Sequence, residues 1–240
     1  MRYRKRTLFC LCAVLCLLGG CGTIRETPVS VPGQTAVSDA GAVSYTTLPT
    51  LCQYPELPTG CEATAAAMVL QFYGEEVSPA AVAGEWLSCD NSFLDVEGVV
   101  YGPDPNRVFV GDPFSPYAYG CFAPVIVDTV RHHSTVCTAR TVTADTLESL
   151  CRTYADKGSP LLIWATMDME PVRKGGQWKL EDGTDFVWPA GEHCLVLTGH
   201  TDNGYRFHDP RTGTAVIYAS DICEARFQEL GRQAVPITPL

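Results

Sequence analysis

The chain has 240 residues, with 17 Lys and Arg against 27 Asp and Glu and a formal net charge of −10. Its 46% hydrophobic content is that of a globular protein, and an acidic surface repels phosphate backbones, which argues against nucleic-acid binding. Twelve cysteines make the redox compartment and thiol chemistry the first questions.

Arg2, Arg4, Lys5 and Arg6 precede an apolar run from Leu8 to Leu18, too short for a membrane span and shaped as a secretory signal. Leu18-Gly19-Gly20-Cys21 resembles a bacterial lipobox, in which Cys21 takes lipid and becomes the new N-terminus. A plain signal peptide cut near Gly20 is the alternative. Residues 1–20 are thus expected to be a lipoprotein signal, and residues 21–50, rich in Pro, Ser, Thr, Gly and Ala, a flexible tether. Residues 51–240 are long enough for one domain with a sizeable core. The expected location is the extracytoplasmic face of a membrane, held by the N-terminal lipid. Without the signal, 13 Lys and Arg would face 27 Asp and Glu, a charge of −14.

Beside Cys61, the domain carries Cys52, Cys89, Cys121, Cys137, Cys151, Cys194 and Cys223. Export permits disulfides, no C-x-x-C zinc pair is present, and connectivity does not follow from spacing. If Cys61 is free, an odd number remains, so at least one more is unpaired or pairs between chains.

Helical spacing of Cys61, Ala65, Met68, Val69 and Phe72 predicts a helix over 61–73, stopped by Gly74. Ser78-Pro79 opens a short helix to about Leu87, and residues 91–120, dense in Gly, Pro and Asp, read as a long ordered loop. Helices are expected at about 122–132 and 145–156. The period then changes: 160–167, 193–200, 204–209 and 214–219 read as strands, with Asp202-Asn203-Gly204 as a hairpin turn. A last helix over 220–230 and a possible edge strand at 234–237 complete an α+β fold, helices first and an antiparallel sheet after.

Thr59-Gly60-Cys61-Glu62 fits a capping box that would place Cys61 in the first helical turn, where the helix dipole and free N–H groups favour a thiolate. A buried structural cysteine is the alternative reading. A thiolate nucleophile needs a base, and the base an orienter. Of five histidines, His193 opens an apolar strand, and the hairpin brings Asp209 back toward it. Gln53, upstream of the turn, is a candidate donor to an oxyanion. Trp164, Trp178 and Trp188 are candidates either for lining a substrate groove or for packing.

Three stretches, "QYPELPTGCEATAAAMVLQFYG", "PNRVFVGDPFSPYAYGCFAPVI" and "EHCLVLTGHTDNGYRFHDPRTG", together resemble the peptidase C39-like family of papain-like cysteine peptidases over roughly residues 50–240. The resemblance implies Cys61 as nucleophile, His193 as general base, Asp209 as its orienter and Gln53 as oxyanion-hole donor. It also implies a peptide or protein substrate and neither metal nor organic cofactor. In leader-cleaving members the Gln precedes the Cys by six residues, whereas here it precedes it by eight, a difference the longer Pro-Glu-Leu-Pro turn would absorb. The transporter that carries the leader-cleaving domain is not expected here, so a double-glycine leader is not an automatic substrate. A binding module without turnover and a peptidoglycan-directed cysteine hydrolase are the competing functions.

Overall fold

The computed structural model describes residues 48–240; the signal, Cys21 and most of the tether lie outside the described residues. The helices are α1 (Cys61–Phe72), α2 (Pro79–Ala81, running on into a wider turn over Val82–Trp86), α3 (Ala123–His133), α4 (Leu147–Thr153) and α5 (Ser220–Glu229). The strands are β1 (Cys89–Asp90), β2 (Leu94–Val96), β3 (Val99–Tyr101), β4 (Phe109–Val110), β5 (Cys137–Ala139), β6 (Val142–Thr143), β7 (Leu161–Thr166), β8 (Arg173–Lys179), β9 (Asp185–Ala190), β10 (Glu192–Thr201), β11 (Gly204–Asp209), β12 (Thr214–Ala219) and β13 (Gln233–Pro239).

The main sheet runs β12-β11-β10-β7-β13-β5, with β6 also on β13, and its neighbours pair antiparallel. All six residues of β7 are buried. An unbroken apolar run of this kind belongs to a strand covered on both faces. On one face, Leu162, Trp164, Cys194 and Val196 pack with α1 and α3. On the other, Ile163, Leu195, Leu197 and Phe207 pack with Leu147 and Leu150 of α4 and Phe227 of α5. Each such side chain contributes about 1.5–3 kcal/mol of burial, so the two cores clamp β7 and β10 from both sides. Strand β10 carries His193, and its neighbour β11 carries Asp209.

Helix α1 departs from the one-faced pattern expected of it. Every residue from Cys61 to Leu70 is buried, because the Ala-rich run leaves room for neighbours all round. Gly74 takes φ +90° just past its end, a conformation glycine adopts without strain. The capping box does not form. Gly60 is the N-cap without a side-chain bond, and the Thr59 hydroxyl donates to the Ser115 carbonyl at 2.9 Å instead.

Three further differences have physical causes. Within the expected loop, β2 and β3 form a hairpin that extends through β8 to β9 as a separate four-stranded sheet. Strand β13 lies between β7 and β5 rather than at an edge. Gly204 is needed not for a positive φ but for closeness: a Cβ there would lie 2.1 Å from the Tyr218 carbonyl oxygen on β12.

Candidate active site

His193 is the second residue of β10, paired with Ala165 of β7 and 3% exposed. Asp209 ends β11 and is 1% exposed. The β10–β11 register, Val196 opposite His208, brings the end of β11 back beside the start of β10. There His193 Nε2 lies 2.7 Å from Asp209 Oδ1. The same oxygen accepts the Arg211 N–H at 2.8 Å, and the Arg211 guanidinium is ion-paired to Asp168. Burial alone would raise the Asp209 carboxyl. The hydrogen bond from His193 and the charges of His193 and Arg211 outweigh it and hold the group below the usual carboxylate range. With Nε2 committed to Asp209, Nδ1 is the ring nitrogen left for proton transfer.

The other histidines have structural partners. His208 Nδ1 meets the Thr50 hydroxyl at 2.9 Å, and burial, with Arg206 nearby, lowers the ring to about 4. His132 bonds the Asp128 carbonyl one turn back, His133 stacks on Trp86, and His200 pairs with Asp156.

Cys61 is the first residue of α1 and 6% exposed. Its thiol donates to Glu62 Oε2 at 3.2 Å, and among the described residues no hydrogen bond joins it to His193. The backbone N–H of Cys194, the residue after His193, also acts on the sulfur. The dipole argument predicts a thiolate here, and the surroundings reverse it. Burial, then the charges of Glu62 and Glu192, push the Cys61 thiol well above its ordinary value. Adjacent position in sequence hid this: Glu62 reads as a cap, yet it turns its carboxylate onto the sulfur of its neighbour.

Gln53 is 4% exposed, and its N–H donates to the Pro210 carbonyl at 2.8 Å, tying the Cys61 turn to the chain just beyond Asp209. Its Nε2 donates to the carbonyls of Leu57 and Pro58, both at 3.1 Å. As placed, the side chain braces the turn that leads into α1, and donating to an oxyanion requires releasing one of these carbonyls.

Sequence reasoning missed the buried carboxylates. Glu62 Oε1 accepts the Cys121 N–H at 2.6 Å, and Glu192, just before His193, is 8% exposed. One ligand atom each from Cys61, Glu62 and Glu192 lie within 4.8 Å of one another, the one such trio among the described residues. The signal in the sequence was an acid directly beside Cys61 and another directly beside His193.

The tryptophans are packing residues. Trp164 and Trp178 donate to the carbonyls of Cys121 and Pro103, and Trp188 stacks on Phe122. A cleft of about 750 Å³ lies among Asp90, Leu94, Tyr101, Asp104, Arg107 and Asp182, and none of the expected site residues lines it.

An antiparallel sheet clamped between helices, with a buried His–Asp pair at one end and a cysteine opening α1, defines an α+β class similar to the fold of a C39-like peptidase. The comparisons agree. The chain belongs to the family described as "Peptidase_C39 like", whose model matches residues 45–235. YvpB of Bacillus subtilis strain 168, an uncharacterized protein, is 27% identical over 186 residues, 76% of this chain and 70% of that one. The crystal structure of a presumed C39-like peptidase from Bacillus anthracis superposes with a TM-score of 0.71 at 25% identity, covering 83% of this chain and 98% of the other.

Proposed function

We propose that the protein is a cysteine peptidase in which Cys61 attacks a peptide carbonyl, His193 moves the proton and Asp209 orients His193. The observation that carries this reading is the buried 2.7 Å contact between His193 Nε2 and Asp209. It fixes the ring and leaves Nδ1 to act as base.

The raised Cys61 thiol shapes the mechanism. A thiolate–imidazolium pair is not the resting state. The thiol leaves Glu62 and passes its proton to His193 Nδ1 as the sulfur attacks. The Cys61 N–H, at the start of α1, is a donor available to the developing oxyanion, joined by Gln53 once its Nε2 releases a carbonyl. His193 returns the proton to the leaving amine, giving a thioester on Cys61. Water deprotonated by His193 then releases the acyl group and restores the thiol. Asp209 stabilises the imidazolium at each proton transfer.

The lipobox-like stretch supports a location outside the cytoplasm, at a membrane surface held by lipid on Cys21, and the family a peptide or protein as substrate. The observation favouring a second reading, a binding module without turnover, is the Cys61–Glu62 hydrogen bond itself. Hydrolysis of a mixed peptide library by the purified chain separates the two. Cleavage lost in both Cys61→Ser and His193→Ala supports the peptidase, and no cleavage by the folded wild type supports the binding module.

A further inference from the structure

Glu192 poses a problem that the peptidase mechanism does not use. The residue is 8% exposed, and its Oε1 has no hydrogen-bond partner among the described residues. Burial, then the charge of Glu62, disfavour its ionised form, a cost that a cation at this point would relieve. The second carboxylate, Glu62, lies in the same trio with Cys61, so the two acids aggravate rather than relieve each other.

The trio is walled in by backbone. Gly120 crosses above both acids at φ +137°, and a Cβ there would lie 2.6 Å from Glu62 Oε1 and 3.1 Å from Glu192 Oε2. Glu62 is held from its other side by the Cys121 N–H. Three donors, one sulfur and two carboxylates, therefore lie within 4.8 Å of one another, and one of the acids carries an oxygen without a partner among the described residues.

We propose that Cys61, Glu62 and Glu192 form a binding site for one zinc ion, filled in competition with the use of Cys61 as a nucleophile. Zinc accepts thiolate at about 2.3 Å and carboxylate at about 2.0–2.2 Å, so tetrahedral donors stand about 3.5 Å apart. The Cys61–Glu62 pair is already at 3.2 Å, and Glu192 has a short distance to close from within 4.8 Å. Calcium and magnesium seek six or more oxygens, so a thiolate among three protein ligands selects against them. On binding, the Cys61 S–H proton and any carboxyl proton leave to solvent, a zinc–sulfur bond replaces the S–H bond, and no electron changes hands. Water completes the fourth position. A sulfur bound to zinc shares its lone pair with the metal and attacks a carbonyl or an alkylating agent more slowly than the free thiolate does. That inhibitory consequence rests on the peptidase reading, whereas the binding does not.

The test is calorimetric titration of the reduced, chelator-stripped full chain with zinc chloride, repeated on Cys61→Ser and Glu192→Gln. In parallel, iodoacetamide labelling of Cys61 is followed by peptide mapping with and without zinc. The site predicts one equivalent bound by wild type, at least tenfold weaker binding in each variant, and slowed Cys61 labelling in zinc. Glu192→Gln gives up no hydrogen bond at Oε1 and is expected to fold, which circular dichroism checks. The protection experiment needs no variant and stands if either one unfolds. Absence of saturable binding overturns the site, as does equal affinity in both variants, which would put zinc on other thiols such as Cys52 or Cys89. Zinc binding without peptide hydrolysis by the stripped protein would keep the site and remove the peptidase. Hydrolysis without zinc binding would do the reverse.

Discussion

Replacing Asp209 by Asn removes a charge while keeping a shape. Asn can leave its Oδ1 facing both the His193 ring and the Arg211 N–H, so what disappears is the negative charge at 2.7 Å from Nε2. The two side chains are 4% and 1% exposed, so solvent screens the pair little. Converting a charge-assisted hydrogen bond to a neutral one costs about 1–2 kcal/mol, or about 2–8 °C in Tm for a domain of this size. The pH dependence has a definite sign. The folded Asp209 carboxyl is held below its usual range, so its stabilisation is present above the ordinary carboxylate value of about 3.9 and is lost as pH falls through the folded value. The gap between wild type and Asp209→Asn should stand at pH 7 and close in acid below about pH 4. Catalysis should suffer more, because the imidazolium formed during attack loses its counter-charge; kcat/KM should drop about 10²- to 10⁴-fold. Thermal melts across pH and peptide hydrolysis provide the two readouts. An Asp209→Asn protein with wild-type melting and wild-type hydrolysis would refute the reasoning.

The raised Cys61 thiol predicts slow iodoacetamide labelling at pH 6 and a rate that climbs only above the ordinary thiol range; fast labelling at pH 6 would contradict the carboxylate environment. A charge 3.2 Å away repels a thiolate by about 1 kcal/mol in a water-like medium and about 5 at an effective dielectric of about 20, so Glu62→Gln should speed labelling at pH 7 several-fold or more. His208, held neutral with its ring at about 4, takes up its proton later in the folded than in the unfolded chain. Stability should therefore fall by up to about 3 kcal/mol from pH 6.5 to pH 4, and His208→Gln should flatten that slope; matching urea midpoints for both proteins across this range would speak against it. Cys21→Ala should leave unprocessed or released protein, and normal processing with full membrane retention in fractionated cells would rule out the lipid.

Strands β10, β11 and β12 were legible because each is an apolar or alternating run bounded by turn residues, and their hairpins forced Asp209 back toward His193. Local pattern sufficed where neighbours in space are neighbours in sequence. The β8–β9 hairpin was not legible: Gly175, Gly176 and Pro189 disfavour strands, and it forms because Trp178 and Trp188 bury against Tyr119 and Phe122 from a distant segment. The interior place of β13 is likewise a long-range pairing with β7 and β5 that no local signal carries. At the site, residue types and order could be read, but charge could not. Whether the helix dipole or a carboxylate governs Cys61 depends on where Glu62 and Glu192 point, and that follows from Cys121 and Gly120, some sixty residues away from Cys61.

Trapping the acyl-enzyme is the most direct measurement. The full chain is incubated with an activated peptide ester, quenched in acid and mapped by mass spectrometry for an acyl group on each cysteine. The account predicts an adduct on Cys61 in wild type, none at that position in Cys61→Ser, and formation slowed about 10²-fold or more in His193→Ala, where the base is gone. An adduct on Cys61 that forms as fast without His193, or no adduct on Cys61 in a folded protein, would contradict it.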